Sequence, residues 1–275
     1  MNPPRVSHSP QLARRLAELI QGKAGIAIPE HQYDAMLQKA DALLPASESL
    51  ESFLKRAAAD EAVLQRFVEG MCTHETRFFR HPEQFASIER VWLQGRLSDT
   101  SRRKVRAWSV ACSTGEEPFS IAMLLADHFP KAAGWSVEVL GTDFSSQVLE
   151  RAARATWPLA RQGEISAERL DRYVLRGHGK QVGLMRARPE LRALVRFQQL
   201  NLMQPPYAVG DDFDLIFLRN VLIYFTQETR REVLRAVLAS MASGALLVTG
   251  PSEGVSHLQE SRLVFVAPHV YAYVG

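Results

Sequence analysis

Three short polar clusters, each directly behind an apolar run of strand length, hold the residues of this chain that could do chemistry. The first is Ala111-Cys112-Ser113-Thr114-Gly115-Glu116-Glu117-Pro118. Gly115 permits a tight turn and close backbone approach, and Pro118 suits the first turn of a helix. Two carboxylates at a helix start repel a pyrophosphate, which seeks the same positive end of the helix dipole. They suit a cation, and the sulfonium and amino groups of S-adenosylmethionine are cationic. Acidic residues also favour helix starts with no ligand present, so this loop alone leaves both readings open. The second cluster is Gly141-Thr142-Asp143. An acid at such a strand end accepts from ribose hydroxyls in Rossmann-type sites. Its distance from Gly115 is somewhat longer than the usual interval of about 20 residues. Capping of a helix starting near Ser145 is a second role for Asp143, and both can hold. The third cluster is Arg219-Asn220, planted after Asp214–Leu218 and followed by Val221-Leu222-Ile223-Tyr224-Phe225. Arg219 and Asn220 could hold polar groups of a cofactor. Tyr224 could face a transferred group, or stand at the rim with its hydroxyl in water.

The elements that must position these clusters follow from periodicity. Leu12, Leu16 and Leu19-Ile20, then Val63, Leu64, Phe67, Val68 and Met71, recur at helical spacing, with Pro29 and Pro45 as separators and Ser47 as a candidate N-cap. Residues 1–72 therefore read as a small helical domain in which no catalytic residue is evident. Residues 73–103 form a linker and a helix. From about residue 104 strand-length runs alternate with helical ones: Val105–Ala111, Pro118–Phe129, Trp135–Thr142, Ser145–Ala153, Phe213–Leu218, Gln227–Met241 and Ala245–Thr249. This alternation predicts βαβ units and an α/β fold with a parallel sheet over 104–275. Leu263–Ala267 and Val270–Val274, flanking Pro268-His269, are expected to close it antiparallel. Gly177, Gly179 and Gly183 break the rhythm and predict a hairpin-rich insertion at about 173–197. Gln204-Pro205-Pro206-Tyr207, close to a motif of amino-group methyltransferases, starts with the wrong residue and precedes its strand, so it reads as a loop.

Bulk properties narrow the classes. The 275 residues are 46% hydrophobic and 23% charged, as in ordinary globular proteins. No apolar run approaches the roughly 18 residues that span a bilayer, and the first residues lack a signal-peptide core. Two cysteines, Cys72 and Cys112, give neither a disulfide framework nor zinc spacing. The expectation is a cytoplasmic, metal-free protein that acts as a monomer. Between Tyr173 and Phe197 six cations (Arg176, Lys180, Arg186, Arg188, Arg192, Arg196) face one acid, Glu190, a local charge of +5 in a chain of +3. Such a patch steers acidic partners, unless it is only a solvated face. No aromatic-basic interleaving or helix-turn-helix accompanies it, so nucleic acid is not the expected partner.

The same residues resemble the chemotaxis receptor methyltransferases (CheR). The resemblance rests on Thr73–Arg80, Ala111–Ser120, Gly141–Asp143, Asn201-Leu202, Phe213–Phe225 and Gly250-Pro251-Ser252-Glu253, in that order along the chain. It implies a Rossmann-like class I methyltransferase sheet with an N-terminal helical domain and a small inserted antiparallel β-subdomain. It further implies S-adenosylmethionine as cofactor and S-adenosylhomocysteine as product, with contacts from Thr76, Arg80, Glu116, Asp143, Asn201, Leu202, Arg219 and Asn220. His74 stands where the family usually has Asn; a neutral imidazole still donates one hydrogen bond there, and a plain core histidine is the other reading. Arg80 or Tyr224 is expected to guide the substrate carboxylate or hold the methionine end of the cofactor, and Arg96, by approximate alignment, is a further candidate for substrate positioning. The implied substrates are methyl-accepting chemotaxis receptors, so contact with the membrane runs through them alone, and the basic insertion could add an acidic receptor tail as an extra strand. Two rival readings stay open at this stage: a methyltransferase of small carboxylic acids, and a non-catalytic sensor of the cofactor.

Overall fold

Three helices of the N-terminal segment, α1, α3 and α4, begin where a short polar side chain takes up unpaired amides of the first turn. Ser9 accepts from the Leu12 amide at 3.2 Å and opens α1 (Pro10–Ala24), which stops at left-handed Gly25. After Pro29 comes α2 (Tyr33–Leu43). Ser49 caps α3 (Leu50–Ala57), in place of the expected Ser47, because the helix begins at the first residue of its buried stripe. Asp60 caps α4 (Glu61–Met71). The four helices close a core of their own around Leu16, Ile20, Leu54 and Val68. The computed structural model describes residues 8–99, 102–255 and 261–275.

An extended stretch leads to α5 (Pro82–Ile88), which runs through a π turn at Glu89–Leu93 into α6 (Gln94–Ser98). Then β1 (Lys104–Val110), α7 (Glu116–His128), β2 (Ser136–Asp143) and α8 (Ser146–Arg154) alternate as the periodicity predicts. The insertion contributes β3 (Thr156–Pro158), α9 (Ala167–Tyr173), β4 (Val174–Arg176), β5 (Leu184–Ala187) and α10 (Pro189–Arg192). The chain returns through β6 (Val195–Gln199), β7 (Phe213–Leu218), α11 (Gln227–Leu238) and β8 (Met241–Thr249), and ends in β9 (Leu263–Ala267) and β10 (Val270–Tyr273).

The large sheet has seven strands in the order β6-β2-β1-β7-β8-β10-β9. Its first five run parallel, and β10 and β9 are antiparallel, as the two closing segments lead one to expect. All of Phe213–Leu218 is buried, because a parallel strand is covered on both faces. Leu215 and Phe217 point into one core with Phe119 and Leu124, and Ile216 and Leu218 into the other with Leu234 and Leu238. The insertion is a separate antiparallel sheet, β3-β5-β4. It begins earlier than the expected 173, since the three-residue β3, ending in Pro158, is too short to carry a periodic signal. It also ends earlier than 197, because Val195–Gln199 pairs parallel with β2 as the outer strand of the large sheet.

Arg96 does not reach the carboxyl ends of the strands, where a substrate would sit. Its guanidinium is buried at the amino ends, 3.3 Å from Asp214 at the start of β7 and 2.7 Å from the Lys104 carbonyl at the start of β1. It also donates to the Asp99 and Arg102 carbonyls and lies 5.1 Å from the Trp135 ring centroid. Asp214 takes a second guanidinium from Arg102 and the Arg106 amide, at 2.8 Å. With every face of the guanidinium engaged, the expected role in guiding a carboxylate is corrected to a structural one. Arg96→Met is predicted to lower stability by about 3 kcal/mol by leaving Asp214 buried with one partner fewer. Urea unfolding should show a lower midpoint with an unchanged slope.

Candidate active site

Register brings the three polar clusters together. Ser109 pairs with Gly141 on one side and Phe217 on the other, so β1, β2 and β7 all end at one level. Beyond that level the backbone turns through left-handed residues that are not glycine: Ala111 (φ 56), Ser113 (φ 52) and Asn220 (φ 59). Such conformations cost about 1–3 kcal/mol each and persist where surrounding structure enforces them. Gly115 (φ 95) is required on two counts, because a Cβ there would also lie 2.9 Å from the Cβ of Ala152 in α8. The three turns surround one cavity of about 610 Å³, a volume suited to a cofactor-sized ligand.

Asp143 stands at the centre of this arrangement. Its Oδ2 accepts from the Ser113 amide and its Oδ1 from the Ser145 amide, both at 2.9 Å. The two roles open from sequence therefore coexist: Asp143 fastens the entry to α8 and also lines the cavity. An ionised carboxylate has about four acceptor positions, so two amides leave capacity for a ligand's hydroxyls. Burial raises its carboxyl pKa, with the Ser145 and Ser113 amides and then His74 pulling the other way.

Of the acid pair at the start of α7, only Glu117 reaches the cavity. Consecutive helical residues point in different directions, and here they divide the work. Glu117 accepts from Ser109 Oγ at 2.6 Å and from Arg219 Nε at 2.8 Å. Glu116, the expected cofactor contact, turns away: it accepts from Thr114 Oγ1 at 2.6 Å and faces Arg161 at 3.5 Å. Arg161 in turn donates to the Thr76 carbonyl at 2.7 Å, so Glu116 supports the cavity wall from behind. Arg219 lines the cavity, yet its donors go largely to Glu117, the Arg80 carbonyl and Gln84 Oε1. Its guanidinium lies 5.0 Å from the Phe217 ring centroid. Gln84 passes the connection on to the Thr249 carbonyl at 2.8 Å.

The third turn has its own anchor. Glu253, buried, accepts from the amides of Asn220, Ile223 and Gly250 and ties the turn after β7 to the end of β8. Asn220 and half-buried Tyr224 face the cavity from this turn. Burial pushes the Tyr224 hydroxyl above its usual pKa, although Arg80 opposes this. Gln84 and Glu253 have no role from sequence, and Glu117 has one only as half of the acid pair. Gly250–Glu253 carries part of the resemblance, and the fold brings its acid to the Asn220 amide.

The helical domain completes the enclosure, which periodicity did not foretell. Ile26, Ile28, Met36 and Lys39 line the same cavity as Asp143 and Phe144 of the chain's core domain. The Ala27 amide donates to the Tyr224 carbonyl at 2.8 Å. Asn201 and Leu202 line the cavity, but the Asn201 side chain joins the domains: its amide donates to the Lys23 carbonyl and its oxygen accepts from the Met203 amide, both at 2.9 Å. The extended stretch after α4 brings His74, Thr76 and Arg80 to the cavity. His74 donates from Nε2 to the Glu69 carbonyl at 3.3 Å. Cys72 and Cys112 are also in the wall, and burial pushes the Cys72 thiol up to about 12 and that of Cys112 well above its usual range.

Functional groups in the wall fit S-adenosylmethionine. Asp143 retains acceptors for ribose hydroxyls, Leu200, Leu202 and Phe144 give an apolar surface for a flat base, and Glu117 with Arg80 offers opposite charges for an amino-acid end. A family model described as CheR methyltransferase, SAM binding domain, matches residues 74–270, a span that includes all three turns. The chemotaxis protein methyltransferase of Escherichia coli is 37% identical over 268 residues, covering 94% of this chain and 89% of that protein. That of Salmonella typhimurium is 36% identical over 254 residues, with 89% and 84% covered. Chemotaxis protein methyltransferase 2 of Pseudomonas aeruginosa is 36% identical over 196 residues, with 70% and 68% covered. The matched span holds all three turns, the relatives cover most of the chain, and the chain belongs to the CheR family of S-adenosylmethionine-binding methyltransferases.

Proposed function

We propose that this methyltransferase forms methyl esters on glutamate side chains in the cytoplasmic part of methyl-accepting chemotaxis receptors. The observation that carries the reading is the convergence of residues 111–117, 143 and 219–220 on one cavity whose wall mixes carboxylates with Arg80. Bound there, the cofactor supplies a methyl group on a positively charged sulfur, which becomes the ester methyl on a glutamate oxygen. Asp143 holds the ribose, and Arg80 faces the cofactor's carboxylate. His74, Thr76, Asn201, Leu202 and Asn220 complete the wall, Glu117 takes the place expected of Glu116, and Arg219 keeps Glu117 and Arg80 in position.

A glutamate of pKa about 4.3 is already ionised at neutral pH, so the enzyme needs no general base. Its task is alignment and removal of water, and good orientation accounts for about 7–11 kcal/mol of barrier. Tyr224, a phenol that is protonated at neutral pH like any tyrosine, donates loosely to the incoming carboxylate without quenching it. The wall thiols do not compete for the methyl group. The thiolate is the nucleophile, and burial keeps both cysteines in the thiol form. Each ester removes one negative charge and relieves like-charge repulsion of a few tenths of a kcal/mol on a helix surface.

The insertion is the second contact with the receptor. Arg176, Lys180 and Arg186 are exposed and have no carboxylate partner among the described residues, whereas Arg196 is paired with Glu138. These cations suit an acidic receptor tail laid along the small sheet, which raises the effective concentration of the methylation sites.

Incubation with tritiated cofactor and receptor cytoplasmic fragments should give label that is released by mild base as methanol. Base-stable label, or label on a free carboxylic acid alone, would exclude the ester assignment. Asp143→Asn should weaken S-adenosylhomocysteine binding at least about tenfold by calorimetry, by removing acceptors the ribose needs. In the unsubstituted enzyme affinity should fall on acidification, and at higher pH than for an ordinary aspartate, because a raised folded pKa means earlier protonation and earlier loss of acceptors. Charge reversal by Arg176→Glu with Arg186→Glu should weaken an acidic tail peptide about tenfold and leave S-adenosylhomocysteine affinity unchanged; equal peptide binding would remove the tether.

A further inference from the structure

Glu69 is a carboxylate with no place in the function described so far. It lies in α4 of the helical domain, is 3% exposed, and has no cationic partner among the described residues. Its side chain instead accepts from polar groups of the core domain: Ser145 Oγ at 3.2 Å, Ser146 Oγ at 3.3 Å and Gln199 Nε2 at 3.4 Å, beside Gln65 Nε2 of its own helix at 3.0 Å. Ser145 and Ser146 open α8, so the carboxylate also meets the positive end of that helix.

Two routes lead from Glu69 to Asp143 and close a ring. Along the first, the Glu69 side chain holds Ser145, whose amide donates to Asp143 Oδ1 at 2.9 Å. Along the second, the Glu69 carbonyl accepts from His74 Nε2 at 3.3 Å, the His74 carbonyl accepts from Ser113 Oγ at 3.0 Å, and the Ser113 amide donates to Asp143 Oδ2 at 2.9 Å. The Glu69 side chain thus bears on one oxygen of the cavity's central acid, and its backbone carbonyl on the other. We infer that Glu69 is a positioning residue for cofactor binding, orienting the Asp143 carboxylate from the helical domain through Ser145 on one side and His74 and Ser113 on the other. The inference rests on the proposed cofactor role of Asp143. Charge enters as well, since Glu69, Cys72 and Cys112 face Asp143 as acidic groups and His74 as a basic one, and the Glu69 charge opposes ionisation of Asp143.

The test is S-adenosylhomocysteine calorimetry on the full chain, with steady-state kinetics, for Glu69→Ala, Glu69→Gln, Asp143→Ala and the double variant. Glu69→Ala should raise the Kd about tenfold and the cofactor KM in step, with kcat within about twofold. The double variant should bind no more weakly than Asp143→Ala, because Glu69 acts through Asp143. Glu69→Gln keeps an acceptor for the serines and should bind within about threefold at neutral pH. The midpoint of its acid-side loss of affinity should shift to lower pH, since a like charge beside Asp143 is gone. Additive losses in the double variant, or a folded Glu69→Ala with unchanged Kd, would overturn the inference. Should Glu69→Ala not fold, an unmoved pH midpoint in Glu69→Gln overturns it. Failure of the unsubstituted enzyme to bind S-adenosylhomocysteine would instead sink the cofactor reading, and this inference with it.

Discussion

Two backbone amides from different loops, those of Ser113 and Ser145, meet on one buried carboxylate, Asp143. Asp143 therefore fixes the turn after β1 against the turn after β2, at the level where register has already aligned the strand ends. A buried carboxylate is costly unless its acceptors are used. That requirement makes the loop geometry stiff before any ligand arrives, which is what an enzyme working by alignment needs. The left-handed conformation of Ser113 is held by one of these bonds, and that of Asn220 by the bond from its amide to Glu253.

The other side of the cavity depends on a second buried polar assembly. Ser109, Glu117, Arg219, Gln84 and the Thr249 carbonyl form a continuous chain from β1 through α7 and β7 to β8. Networks of this kind specify one arrangement when every member is satisfied, and lose that virtue when one member is missing. Here the reward is positional: Arg219 also grips the carbonyl of Arg80, whose own guanidinium faces the cavity with donors left for a ligand's carboxylate. Glu253 performs the same service for the turn bearing Asn220 and Tyr224.

Much of this was legible in the residues themselves. Apolar runs bounded by Gly, Asp or Arg marked β1, β2 and β7 and the clusters behind them, because a doubly covered parallel strand leaves a continuous apolar signal. The closing hairpin around Pro268-His269 was equally plain. What escaped were facts of direction and of distance along the chain. Neither composition nor spacing tells which of Glu116 and Glu117 faces inward, since both suit a helix start. Arg96 looked available for substrate, whereas Asp214, far along the chain, holds it at the opposite end of the sheet. The helical domain read as packing alone because its contribution to the cavity is a wall of isoleucine, methionine and lysine, residue types that any helix bundle uses. The edges of the small sheet were missed because strands of three or four residues are below the length at which alternation can be seen.

The central claim is that three strand-end turns and the helical domain enclose one cofactor site organised by Asp143. A crystal structure of the complex with S-adenosylhomocysteine tests it most directly. The account predicts ribose hydroxyls within hydrogen-bond distance of Asp143 and the sulfur within the wall formed by residues 111–117 and 219–224. Density for the ligand outside this enclosure, or Asp143 turned away from the ribose, would contradict it.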